Sequence, residues 1–277
     1  MASLRFFVYS NLFIAICAVL MVSQTYQLLL HMDPDWNVIG FIFFSTICSY
    51  SFHWYLSSDT APGSSRSLWQ KRNHYVHVIL FFIGLGGAAI FFFILSKHWF
   101  WLALSAVPTF LYTAPKIPHK HFRLLRKIAL GKTIFLAAVW MYVTTILPLA
   151  VHNTPWKNDA YLFITGRFFL IYAICILFDR RDREEDKTKG IRSLITFLDE
   201  RGIKSLFVFS LAVFAVSTAG LWFYQYNIIT VVALLVPGII TALLYTYSWK
   251  NTSDILYYFT LDGLMALSSV LTLLMWI

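Results

Sequence analysis

Long apolar runs follow one another through almost the whole chain with only short polar gaps. A helix needs about 20 mostly apolar residues to cross a bilayer. Read with that window, the sequence offers nine such segments, at roughly 8–30, 37–56, 74–96, 98–114, 128–150, 161–178, 203–224, 227–248 and 255–276. In lipid, a spanning segment must satisfy its own backbone groups, so runs of this length form helices. The composition agrees, with 59% hydrophobic and 13% charged residues where a soluble domain carries about a quarter charged. The expectation is an all-α polytopic membrane protein, a single transmembrane bundle over residues 1–277. Arg5 followed by an apolar run looks like a signal peptide, but no small-residue cleavage site precedes Gln24, so the segment is read as a retained first helix. Ser96-Lys97-His98 alone divides the third run from the fourth.

Basic residues give the expected orientation. Arg5, Arg66, Lys71, Arg72, Lys116, Lys120, Arg123, Arg126, Lys127, the 179–202 segment and Lys250 fall on one side, while the other carries only Lys97 and Lys157. Such a bias places the N-terminus and the long connections in the cytoplasm, and an odd number of spans then puts the C-terminus outside. The expected setting is a bacterial inner membrane. The net charge of +9 reads as orientation signal and headgroup contact rather than nucleic-acid binding. Cys17, Cys48 and Cys175 lie in apolar runs without metal-ligand spacing, so neither disulfide nor structural zinc is expected.

The most charged stretch is Phe178–Leu194, FDRRDREEDKTKGIRSL. On a helix Asp182 and Asp186 share a face, and Asp179 joins them. Three acids within two turns call for nearby cations. Arg180, Arg181, Arg183, Lys187 and Lys189 supply them in sequence, which would make this a solvated charged loop. Mg²⁺, which takes one or two carboxylates and completes its shell with water and phosphate oxygens, is the other candidate.

The run from Asp182 through Gly190 to Ser193-Leu194 resembles the second aspartate motif of the UbiA-type intramembrane prenyltransferases: DxxxD, a basic residue, a glycine and a Thr/Ser-Leu pair. Tyr112-Thr-Ala-Pro115-Lys116 is similar to that family's Tyr-Pro…Lys segment. The first aspartate motif, NDxxDxxxD with Arg-Thr four residues on, is different here. With Arg66-Ser67 held in register, its asparagine becomes His53 and its three aspartates become Trp54, Ser57 and Ala61. Asp59 is the one acid nearby and is out of register. The resemblance covers about residues 45–270. It implies a helical bundle that binds an isoprenoid diphosphate through Mg²⁺ and transfers the prenyl group to an aromatic or lipid-soluble acceptor. With it, Asp182 and Asp186 are the expected metal ligands and Asp179 beside them a third catalytic acid; Arg66, Lys116 and Tyr112 from the motifs, and Lys132, His53 and Asp262 from their positions in or beside the spans, are the expected substrate contacts.

Other readings stay open beside it. The missing acids suit a non-catalytic relative that binds an isoprenoid or lipid diphosphate or scaffolds membrane enzymes, and a small-molecule transporter is a third class. His53, His74 and His77 could hold another metal or contact phosphate, or could simply be interfacial and capping residues. Asp262 could face a cavity or pair with a tyrosine or Lys132. Arg167 is expected to snorkel to the outer surface. Gly84, Gly86 and Gly87 would let a neighbouring helix approach.

Overall fold

The computed structural model describes residues 2–57, 64–113, 132–188 and 193–276. Lys116, Asp59, Ala61, Lys189 and Gly190 lie outside the described residues, and the side chains of Ser57, Tyr112 and Lys132 are likewise outside them. Within the described residues all regular structure is helical. A short α1 (Ala2–Tyr9) turns at Asn11, whose φ of 69° lies in the left-handed region that asparagine tolerates. It leads into α2 (Leu12–Thr25), prolonged by a π-turn at Tyr26–Leu30. There follow α3 (Trp36–Ser57), α4 (Ser65–Arg72), α5 (His74–Ile94) and α6 (Trp99–Thr113). The next span is α7 (Lys132–Met141), a π-turn (Tyr142–Ile146) and α8 (Leu147–Val151) in continuous succession. The remaining elements are α9 (Asn158–Thr188), α10 (Leu194–Phe197), α11 (Glu200–Gly220), α12 (Ile228–Lys250), a π-turn (Leu256–Leu261) and α13 (Asp262–Trp276).

Among the described residues seven helices are long and apolar enough to cross a membrane, so seven of the nine expected spans are supported on that ground. The other two segments are α3 and α6. The first turns Ser45, Ser49, Tyr50 and His53 into the bundle's cavity, which dilutes its apolar character. The second has 15 described residues, short of a full crossing. Ser96–His98 forms a single 3₁₀ turn that separates α5 from α6.

Residues expected to begin a loop at 179 instead continue α9 through Thr188, making it 31 residues long. Once past the apolar run the helix is held by side chains. Arg180 and Arg183 both reach Glu200 at the start of α11 (3.2 and 3.1 Å), and Arg180 also lies over Trp249, 3.6 Å from its ring centroid. Through Thr188 the charged stretch is therefore a helical extension. Ser193, beyond it, caps α10 through a reciprocal pair with Thr196.

The core runs along α2, α3, α7, α9 and α13, where Met21, Ile42, Ala137, Ile171 and Leu264 are buried. Helices α3 and α5 pack closely at Gly84. A methyl group there would lie 2.6 Å from the Cys48 backbone nitrogen and 2.9 Å from the Phe44 carbonyl oxygen. Gly87 meets the Phe44 ring, whereas Gly86 faces open space and allows no closer approach.

Arg167 does not snorkel. It is buried, and its guanidinium donates to the Met21 and Thr144 carbonyls, the Thr25 and Thr145 hydroxyls and the Gln24 side-chain oxygen at 2.6–3.0 Å. Thr144 and Thr145 sit in the π-turn of Tyr142–Ile146, and Thr25 precedes the π-turn of Tyr26–Leu30. These loosened turns present acceptors to the cation, so reaching the surface gains it nothing.

Candidate functional site

A cavity of about 710 Å³ opens in the bundle, lined by α2, α3, α4, α5, α6, α7, α9 and the α13 region. It reaches along α3 from Phe41 to Trp54, which at 1.5 Å per residue is about 20 Å. Its outer part is apolar, with Phe41, Ile42, Leu102 and Val143. The inner end, on the side rich in basic residues, gathers Asn11, His53, Trp54, Arg66, Asp179, Arg181, Asp182, Tyr258 and Asp262. Leu85 and Phe93 line the cavity yet are exposed on α5, so the apolar part opens sideways toward lipid.

Arg66 reaches this end because α4 is pinned at its start. The Ser64 hydroxyl accepts the Ser67 amide, and the Asp254 carboxylate accepts the Arg66 amide at 2.8 Å. The buried guanidinium lies 3.9 Å from the Trp54 ring centroid and 4.1 Å from that of Tyr258, and donates to the Asn11 side-chain oxygen at 2.9 Å. Its Nε has no hydrogen-bond partner among the described residues. Burial pushes this guanidinium down from its ordinary range, opposed by the nearby Tyr258, Asp262 and Asp254. Asn11 passes the contact on, its amide donating to Nδ1 of the buried His77 at 3.4 Å.

Tyr258 joins the two cations. Its ring faces Arg66 and its hydroxyl accepts from Arg181 at 3.0 Å. Arg181 in turn holds the neighbouring Asp182 at 2.7 and 3.3 Å. Of the five cations expected to surround the acids, Arg181 does so. Arg180 and Arg183 face Glu200, and Lys187 pairs with Glu184 at 2.9 Å. Asp179 is buried and accepts a hydrogen bond from Thr133.

Asp179, Asp182, Arg66, His53 and Asp262 thus line one cavity. Asp186 is buried one turn beyond Asp182 and is not among the lining residues. Nor do the three histidines gather: His53 lines the cavity, His77 serves Asn11, and His74 lies edge-on to Tyr75. Among the described residues no group of three or more His, Cys, Asp and Glu stands close enough to hold a metal ion. The donor chemistry differs between the two walls. On α9, Asp179 and Asp182 supply the one or two carboxylates that Mg²⁺ takes alongside phosphate oxygens. At the inner end the described lining residues of α3 and α4 are His53, Trp54 and Arg66, which offer Mg²⁺ no carboxylate. Sequence reasoning passed over Asn11, Trp54 as an aromatic wall, and Tyr258. An asparagine inside an apolar run was the only sign of the first.

A family model described as the UbiA prenyltransferase family matches residues 63–269, three quarters of the chain. The chain belongs to the UbiA prenyltransferase family. A solved structure reported in work on a digeranylgeranylglyceryl phosphate synthase in membranes shares the fold of this UbiA-family chain. The TM-score is 0.54 at 13% identity, over 99% of this chain and 97% of that one. Comparison with curated proteins finds no significant match.

Proposed function

We propose that the protein transfers a prenyl group from an isoprenoid diphosphate to a lipid-soluble acceptor. The reading rests on family membership and, above all, on one observation: a single cavity about 20 Å long joins a charged inner end to an apolar channel. The diphosphate belongs at the inner end and the isoprenoid in the channel. An acceptor from the bilayer has a way in beside Leu85 and Phe93.

Reaction begins when the bond between the allylic carbon and the diphosphate oxygen breaks, its electron pair leaving with diphosphate. Arg66 and Arg181 offset the charge on the leaving group, and Lys116, Lys132 and Tyr112 are proposed as further contacts. Asp182 and Asp179 are the residues to hold Mg²⁺, with Asp186 on the same helix face. When bound, the ion supplies further neutralisation of the departing diphosphate. The rings of Trp54, Phe178 and Tyr258 face the allylic cation. The acceptor's nucleophile then forms the new bond to carbon, and its proton passes to Asp262 or is carried off by diphosphate. His53 borders the same space as a hydrogen-bonding contact.

The test is diphosphate release by purified protein supplied with geranyl, farnesyl and longer prenyl diphosphates and a panel of aromatic and lipid acceptors. Release that EDTA stops, and that the double substitution Asp182→Asn with Asp186→Asn abolishes, is expected. Unchanged release in the double variant would refute the site assignment. The carboxylate-free α3 wall favours one second reading, a family member that binds isoprenoid diphosphates without cleaving them. Saturable binding without release in the same assay would select it.

A further inference from the structure

Resting on the proposed diphosphate site, we infer that Asn11 and His77 are positioning residues for its reaction, turning the Arg66 guanidinium so that its remaining N–H groups face the diphosphate. Asn11 forms the turn between α1 and α2, and its side chain is completely buried. The backbone there is left-handed (φ 69°, ψ 7°), a conformation that glycine adopts with least strain. Asparagine brings an amide instead, and both Asn11 and Arg66 line the cavity. A buried amide is costly unless its oxygen and its NH₂ group both find partners. Here both do, in Arg66 and His77.

Donor and acceptor chemistry allows one arrangement. A guanidinium donates and never accepts, so the Asn11 oxygen must face Arg66, as it does at 2.9 Å. The Asn11 NH₂ then points at His77, 3.4 Å from Nδ1, which must be the bare, accepting nitrogen of a neutral ring. The proton sits on Nε2, which is buried without a partner among the described residues. Turning the amide over would set its NH₂ against the guanidinium, donor to donor. His77 thus fixes which end of Asn11 meets Arg66.

The pair supplies direction. The Trp54 and Tyr258 rings lie 3.9 and 4.1 Å from the guanidinium carbon and stabilise its charge, but a ring face holds a cation without setting its rotation. Asp254 and Asp262 act on that charge from nearby, and Asp254 bonds the Arg66 backbone amide. The bond to Asn11 is the one hydrogen bond of the Arg66 side chain among the described residues, and a hydrogen bond is directional. Trp69 on α4 lies edge-on to His77 on α5 and to Phe6 and Tyr9 on α1, so one ring packs together the elements that hold the pair in place.

The experiment is a double-mutant cycle on the full-length protein in detergent, with Mg²⁺ and the slowly ionising analogue farnesyl S-thiolodiphosphate, read by isothermal titration calorimetry. Asn11→Gly keeps the turn and removes the amide. Its affinity for the analogue is expected to fall about 10-fold, within the coupling found between residues of one network. In an Arg66→Gln background the same substitution is expected to cost nothing further, because it acts through Arg66. An equal loss in both backgrounds would mark a merely structural residue and overturn the inference, as would parent-like affinity in Asn11→Gly. His77 gives a second route should Asn11→Gly not fold. His77→Asn offers an amide oxygen close to the place of Nδ1 and is expected to bind nearly as the parent does, whereas His77→Leu is expected to bind more weakly. Equal affinities in these two would overturn the part given to His77. A parent that binds the analogue while these comparisons fail leaves the proposed function standing. A parent that binds none removes both this inference and the reading beneath it.

Discussion

Replacing Gly84 with alanine should push apart the two helices that carry one wall of the cavity. The added Cβ would stand 2.6 Å from the Cys48 nitrogen, 2.9 Å from its Cα and 2.9 Å from the Phe44 carbonyl oxygen. All three are backbone atoms, so no side chain can swing aside. Restoring ordinary contact near 3.5 Å requires the helices to part by nearly 1 Å. Overpacking of this kind costs about 1–3 kcal/mol, against which alanine's better helix propensity returns up to about 1 kcal/mol. A net loss of about 1–2 kcal/mol, at roughly 2–4 °C per kcal/mol for a chain of this size, lowers the melting temperature by about 2–8 °C. Gly86→Ala is the internal control, since nothing lies within 4 Å of its Cβ. It gains the same propensity without the clash and should hold or raise the melting temperature. Differential scanning fluorimetry of the purified variants in one detergent measures both. If Gly84→Ala melts with or above Gly86→Ala, the close approach of α3 and α5 is wrong.

Further expectations rest on single contacts. Tyr258→Phe keeps the ring against Arg66 but removes the hydroxyl that accepts from Arg181, so apparent affinity for a prenyl diphosphate should change less than in Tyr258→Ala. Equal losses in a binding titration would deny the ring its part. Arg167→Ala strips five hydrogen bonds from the meeting of α2, the Tyr142–Ile146 turn and α9. At about 0.6 kcal/mol each the loss is about 3 kcal/mol, and an unchanged melting temperature would show that the cluster is not formed. His152, hydrogen-bonded to the Tyr26 hydroxyl at 2.9 Å, has its pKa lowered by burial and by His98 against an upward pull from Asp35. Its neutral form is thus favoured by folding, so its contribution is present above the ordinary value of 6.5 and lost as pH falls below it. Melting temperature should drop between pH 7 and 5 more steeply in the parent than in His152→Gln, and parallel curves would contradict this.

Much of the architecture was legible because membrane spans are written locally, as runs of apolar residues. The helical face shared by Asp179 and Asp182 could be read in the same way, since residues three apart on a helix are neighbours whatever surrounds them. The end of α9 could not. Residues 179–188 look like a loop by charge, and only Glu200 and Trp249, distant in sequence, show why they stay helical. Arg167 was misjudged for a related reason. Its acceptors come from α2 and from π-turns that apolar periodicity does not reveal. Arg66 was visible as a basic residue near a motif. Its partners Asn11 and Tyr258 stand 55 and 192 positions away, beyond any local pattern.

In the proposed function one cavity holds an isoprenoid diphosphate with its charged end at Arg66, Asp179 and Asp182 and its chain running outward. A farnesyl diphosphate carrying a diazirine at the far end of the chain, photolysed on the purified protein and mapped by mass spectrometry, tests that placement directly. Labels on the channel residues Phe41, Leu102 or Val143, lost on competition with unlabelled farnesyl diphosphate, are the predicted result. Competable labelling confined to the outer-side pocket of His31, Lys157 and Tyr224 would contradict it.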